Sequence, residues 1–268
     1  MTFRKVGRIA IDLLAGAVVL TAIASLTGVP ARFADRTSEG GTSGNDGTYF
    51  VQQAGSTTAP APACERPMLI GKVVVSSVAA RRWPSRDAPV IATFRKVNPQ
   101  GATQVFDLEG SVLDSEGTIW FRALLPIRPN GTSGYIPAGS VRILQTSYRI
   151  VVDREALRLT LWKGCRQVMK LKIGLGKEST PTPNGAFYIV SLLKPPLAGS
   201  IYGKYAYGLS AFSNAITDWK GGGVIGLHGT NDPSSIGNRK SHGCIRLYNW
   251  DISKLVPLLP LGTPVEIR

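Results

Sequence analysis

From about Met68 onward the chain is cut into short runs of β-favouring residues, and this division limits the fold more than any other feature. The runs lie at 72–75, 90–94, 104–108, 119–124 and 140–144, with turn signals between them at near-regular spacing. Such a pattern predicts a small barrel rather than a helical or doubly wound fold. A second β-rich region begins at Ser147. Residues 148–153 and 158–163 alternate in polarity and flank a turn, and 167–173 follow Gly164. Pro183-Asn184-Gly185 is a strong turn before 186–190, and 264–267 read as a closing strand. Asn249 is placed to cap a short helix carrying Ile252, Leu255 and Val256 and stopped by Pro257. The expected class is therefore mainly β, with short helices, and no internal repeat is found.

The amino terminus has a different texture. Arg4, Lys5 and Arg8 precede an apolar run that Asp12 alone interrupts up to Pro30. A basic flank before an apolar stretch is the pattern of an export signal. Two readings remain for 1–30: a signal peptide cleaved after Ala22-Ile23-Ala24, or a retained single-pass anchor. The anchor is favoured because the apolar run continues past that site. The positive flank places the amino terminus inside and the rest outside the membrane. Residues 31–65 read as a flexible linker, with Gly40-Gly41-Thr42-Ser43-Gly44 and a Ser/Thr/Ala/Pro run from Gly55 to Pro62.

The formal net charge is +14. It is distributed as zero over 1–65, +5 over 66–146 and +9 over 147–268. A basic surface attracts nucleic acid, anionic lipid or an anionic wall polymer alike. No basic stripe with interleaved aromatics and no nucleic-acid motif is present, so nucleic acid is not an expected partner.

The chain has two histidines and three cysteines. Both histidines, His228 and His242, fall within sixteen positions of Cys244. The run is Gly226-Leu227-His228-Gly229-Thr230, a polar loop, then Ser241-His242-Gly243-Cys244-Ile245-Arg246. Cysteine acyl transfer needs a thiolate and a group that takes its proton, and an imidazole does this. Gly243 lets the backbone approach a reacting carbonyl, and the amides of Gly243 and Cys244 are expected to act as oxyanion donors. Three other readings stay open from the residues alone. His228, His242 and Cys244 could hold zinc with a fourth ligand, Cys244 could belong to a structural disulfide, or the histidines could be ordinary core or loop residues. No cofactor or metal is expected on the nucleophile reading.

Two families are recognisable at this point. Ala80-Arg81-Arg82-Trp83-Pro84-Ser85, Thr118-Ile119-Trp120-Phe121-Arg122 and Gly134-Tyr135-Ile136-Pro137 make 66–146 resemble a bacterial Src-homology-3-like domain. That resemblance implies a module that binds wall peptides. The His-Gly-Thr and Ser-His-Gly-Cys runs, the Ser179 to Gly185 turn, the aromatic segment 202–207, and Thr217-Asp218-Trp219 make 147–268 similar to the L,D-transpeptidase (YkuD-type) catalytic domain. Sortases and papain-like peptidases space their Cys and His differently. The resemblance implies a β-sandwich and a cysteine acyltransferase at the outer face of the membrane or in the wall. It would cross-link peptidoglycan stem peptides through a thioester with release of D-alanine, or release the acyl group to water as a carboxypeptidase; the rival reading is a non-catalytic wall-binding protein. It implies Cys244 as nucleophile, His228 as base, and a carbonyl of Ser241 or Gly229 orienting His228. It implies His242 and Gly243 at the oxyanion pocket, and Arg246, Tyr205, Tyr207 and Trp219 as substrate-binding residues. Carbapenem-type inhibitors are implied to acylate the cysteine. With Cys244 reduced for catalysis, Cys64 and Cys165 remain, either free or joined to each other.

Overall fold

A computed structural model describes residues 63–195, 199–216 and 222–268. The proposed signal segment 1–30, almost all of the linker, and Trp219 lie outside the described residues. Among the described residues, no helix is long and apolar enough to cross a membrane.

The first sheet contains β1 (Met68–Val73), β2 (Ser77–Arg81), β3 (Val90–Arg95), β4 (Val105–Leu113), β5 (Ile119–Leu124), β6 (Ser133–Pro137) and β7 (Val141–Thr146). Their order is β3-β2-β6-β5-β4-β1-β7, antiparallel throughout. Val78, Ala80, Phe106, Phe121 and Ile136 are buried in its core, where Phe94 meets Phe106 edge to face at 5.1 Å. This geometry suits the ring quadrupoles. The expected small barrel is not closed by hydrogen bonds: β3 pairs only with β2 and β7 only with β1. Strand β2 carries no strand signal of its own in the sequence, because its polar and small residues run straight into the Arg82-Trp83-Pro84 turn.

The second sheet has the order β10-β9-β8-β17-β12-β13-β14-β16. Its strands are β8 (Tyr148–Asp153), β9 (Arg158–Lys163), β10 (Arg166–Lys172), β12 (Gly185–Leu193), β13 (Ala206–Phe212), β14 (Val224–His228), β16 (Ile245–Arg246) and β17 (Pro264–Ile267). A separate parallel pair joins β11 (Leu175–Gly176) to β15 (Arg239–Ser241). The single α-helix among the described residues, α1 (Asn249–Leu255), presses Ile252 and Leu255 into the core of this sheet. Asn249 is not its cap. Tyr248 holds the N-cap position and makes no side-chain cap bond.

The two sheets share apolar packing. Ile70, Val105 and Leu124 of the first cluster with Tyr188 and Val190 of the second. Gly262, at a φ of +91°, sits so close beneath Ile70 that an added Cβ would lie 2.8 Å from Ile70 Cγ1. Asn98 Nδ2 donates to the Val190 carbonyl at 2.9 Å across the same boundary. Burying side chains of this size contributes roughly 1.5–3 kcal/mol each, so the first sheet rests on the second through a real core. A disulfide joins Cys64 to Cys165, 101 positions apart, and Cys244 is the free cysteine.

Candidate active site

His228 ends β14, and Cys244 immediately precedes β16. The parallel register pairs Leu227 with Ile245 and His228 with Arg246, so Gly226 stands opposite Cys244. The Gly226 amide donates to Cys244 Sγ at 3.3 Å. A Cβ on Gly226 would lie 3.1 Å from His228 Cδ2 and 3.5 Å from that sulfur. Thiol and imidazole therefore flank the one residue that has no side chain to keep them apart.

His228 is 3% exposed. Its Nδ1–H donates to the Gly229 carbonyl at 2.5 Å. This fixes the tautomer in which Nε2 carries the lone pair. The Tyr202 ring meets the imidazole edge to face at 5.1 Å. Burial, with a smaller contribution from the Arg246 cation, brings the imidazole down to about 4 from its usual 6.5, against the opposing pull of the Gly229 hydrogen bond. Burial pushes the Cys244 thiol up, and the Gly226 amide and Arg246 offset only part of this. At neutral pH the resting pair is therefore uncharged, thiol beside imidazole, rather than an ion pair. A measurable consequence follows for alkylation by iodoacetamide, which requires thiolate. Its rate at Cys244 should keep climbing with pH across the neutral range and beyond, with no plateau between pH 6 and 8. A plateau there would reveal a preformed thiolate.

The residues before the cysteine hold its backbone. Ser241 Oγ donates to the Cys244 carbonyl at 2.6 Å and accepts the Gly243 amide at 3.1 Å. That amide is thus already committed, which corrects the expectation that it points at an oxyanion. The Ser241 carbonyl accepts the Lys177 amide at 2.9 Å and Thr180 Oγ1 at 3.2 Å. Of the two carbonyls expected to orient His228, Gly229 does so and Ser241 does not. Gly243 has a φ of +115°, a left-handed region that favours glycine. Its carbonyl accepts Thr182 Oγ1 at 2.8 Å, so the Ser179 to Gly185 turn braces the motif from behind. His242 is exposed at the cavity rim.

A cavity of about 530 Å³ opens over this pair and reaches His228, Cys244, His242, Arg246 and Tyr202. Arg246 contributes a buried Nε with no hydrogen-bond partner, which is a costly state for a donor unless a ligand satisfies it. Tyr205 does not line the cavity. Its ring packs against the core and its carbonyl accepts the Gly229 amide at 3.0 Å. Tyr207 borders the cavity but is 1% exposed, and its hydroxyl donates to the Leu259 carbonyl at 3.4 Å. Strand alternation turned that ring inward, and Tyr202, in the preceding turn, is the aromatic that reaches the imidazole.

Asn249 also has a part the sequence did not reveal. Its Oδ1 accepts the Lys204 and Thr230 amides at 3.0 and 3.2 Å, and its Nδ2 donates to the Thr230 carbonyl at 2.9 Å. It pins the chain just beyond His228, and this is why its side chain is unavailable as a helix cap. A Cβ on Gly203 or Gly229 would collide with its amide oxygen.

A half-buried cysteine and a buried, neutral histidine in a cavity, with the histidine oriented by a main-chain carbonyl, define a candidate cysteine acyl-transfer site. Residues 147–267 match the YkuD family model, the L,D-transpeptidase catalytic domain. YkuD of Bacillus licheniformis, named as an L,D-transpeptidase, is 36% identical over 153 residues, 54% of this chain and 85% of that protein. YkuD of Bacillus subtilis is 35% identical over 152 residues, with the same shares covered. The solved Enterococcus faecium L,D-transpeptidase C442S mutant is 24% identical with a TM-score of 0.37, over 46% of this chain and 50% of that one. The chain belongs to the L,D-transpeptidase family.

Proposed function

We propose that this protein cross-links peptidoglycan stem peptides through a Cys244 thioester, outside the cytoplasmic membrane, with residues 1–30 as its anchor or export signal. The supporting observation is the neutral thiol and imidazole flanking Gly226, with His228 Nδ1 held by the Gly229 carbonyl and Nε2 left as base.

In the first half-reaction Cys244 Sγ attacks the carbonyl of the third stem residue while His228 Nε2 takes its proton. The Cys244 amide is the donor left for the oxyanion, beside His242. Collapse breaks the peptide bond, and the imidazolium returns the proton to the departing amine of terminal D-alanine. In the second half-reaction a side-chain amine of a neighbouring stem attacks the thioester, loses its proton to His228, and displaces the Cys244 sulfur, which is reprotonated. Water in place of that amine gives the carboxypeptidase outcome. Arg246 offers its planar fork to a substrate carboxylate, and this would satisfy its unpartnered Nε. Residues 66–146 would serve as the Src-homology-3-like companion of this domain.

The test is to incubate the protein with a carbapenem and, separately, with a tetrapeptide donor and an amine acceptor. A mass gain and D-alanine release with native protein, both absent from Cys244→Ala, are expected. No adduct and no D-alanine from folded native protein would defeat the proposal.

A further inference from the structure

The cavity over Cys244 is not built from the catalytic sheet alone. Its wall includes Gln100, which lies between β3 and β4 of the first sheet. Buried Asn98 fixes that turn: its Oδ1 accepts the Gln100 and Ala102 amides at 3.1 and 3.0 Å, while its Nδ2 reaches across to Val190 of β12. A second loop of the first sheet, between β5 and β6, grips another wall. Arg128 Nη1 donates to the Ser213 carbonyl at 2.6 Å, and Nη2 to the Gly222 and Ile216 carbonyls at 3.1 and 3.3 Å. The guanidinium also lies 5.0 Å over the Phe212 ring. Asn130 adds a reciprocal pair, donating to the Phe212 carbonyl at 2.8 Å and accepting its amide at 2.9 Å.

These carbonyls belong to both ends of the β13–β14 connection, and Ser213, Ile216, Gly223 and Val224 of those ends line the cavity. Gly223 is shaped to the grip: it has a φ of +72°, and a Cβ there would lie 2.7 Å from Arg128 Nη2. Three carbonyls converging on one planar cation are held in a fixed relation that a point charge could not reproduce.

We propose that the first sheet completes the substrate site. Arg128 is a positioning residue that sets the cavity wall through 213–216 and 222–224, and Gln100 is a specificity residue that contacts the bound stem peptide. The contact of Gln100 rests on the stem-peptide reading above; the grip of Arg128 does not. The chemical fit is direct, because a peptide backbone offers amides and carbonyls to both arms of a glutamine side chain.

The test uses the full chain and its Arg128→Ala, Arg128→Lys and Gln100→Ala variants. Each is followed by tetrapeptide kinetics, hydrogen exchange at 213–216 and 222–224, iodoacetamide alkylation of Cys244, and thermal melting. For Arg128→Ala, KM should rise about tenfold with kcat within threefold, the loss expected when positioning rather than chemistry is impaired. Exchange at those amides should rise, alkylation should not change, and Arg128→Lys should fall between. Gln100→Ala should raise KM without changing exchange. Native KM in either alanine variant overturns the part it tests, and so does a fall in kcat that tracks a lowered melting temperature. If native protein turns over no tetrapeptide, the function proposal fails together with the Gln100 contact. The Arg128 grip is then decided by exchange, unchanged protection in Arg128→Ala overturning it and raised exchange sustaining it.

Discussion

Replacing His228 with glutamine is expected to slow acylation of Cys244 by a tetrapeptide donor by about 10²–10⁴-fold, the range that general acid–base catalysis contributes. Glutamine can still donate toward the Gly229 carbonyl, so the local fold has a reason to survive, but it offers no basic nitrogen to take the thiol proton. The effect should be large because the resting thiol is neutral: burial holds it above its ordinary value, so little thiolate exists without the base. Intact-mass measurement of the acyl-enzyme burst checks this. A variant that acylates within tenfold of native would mean that the proton leaves by another route. The histidine also has a stability signature. Its folded pKa of about 4 lies below the unfolded 6.5. The unfolded chain therefore binds more protons between those values, and this residue's contribution is lost as pH falls through that window. Removing the imidazole should flatten that part of the pH–stability curve.

Removing the Cys64–Cys165 bridge should give the largest change in stability. It closes a loop of 101 residues, and chain-entropy reasoning puts the cost of opening such a loop at about 4.7 kcal/mol before native-state effects. For a chain of this size, that corresponds to a fall in melting temperature of roughly 10 °C or more. The loop includes the whole first sheet, so the bridge restricts the unfolded chain well beyond the segment it touches. Melting Cys64→Ala/Cys165→Ala beside native protein with and without reductant is the check. The double variant and the reduced protein should coincide. A shift under about 2 °C would show that the shared core around Ile70 and Tyr188 already supplies what the bridge was expected to add.

The strand-rich class was legible because alternating runs such as Arg158–Lys163 bury every second residue, and a period of two needs no tertiary information to detect. Strands β13 and β14 were not legible. Ala206–Phe212 is covered on both faces and interrupted by Gly208, so it shows no alternation. At the site, Cys244 and His228 stood out by residue type and spacing. What stayed hidden depended on side-chain direction or on long-range pairing. Asn249 looked like a cap because capping is local, yet it is used by a loop 19 positions away. The Gly226 amide carries no signal in a glycine-rich sequence, and only the parallel register of β14 and β16 brings it to the sulfur. Arg128 and Gln100 lie in what reads as a separate module, and sequence has no means of joining that module's loops to cavity walls as distant as Ser213 and Gly222, 85 and 94 positions beyond Arg128.

The bridge between Cys64 and Cys165 also decides how the molecule would carry tension. During the proposed thioester step the protein is fastened covalently to a polymer through Cys244, while the proposed anchor precedes Cys64 in the sequence. Without the bridge, a pull between those points would run through β1, whose removal would part it from both β4 and β7. With it, force passes from Cys64 directly into the β9–β10 turn at Cys165 and so into the sheet that holds the site. The first sheet hangs as a side branch, unstressed, and the walls it sets around the cavity would keep their shape while the wall network moves.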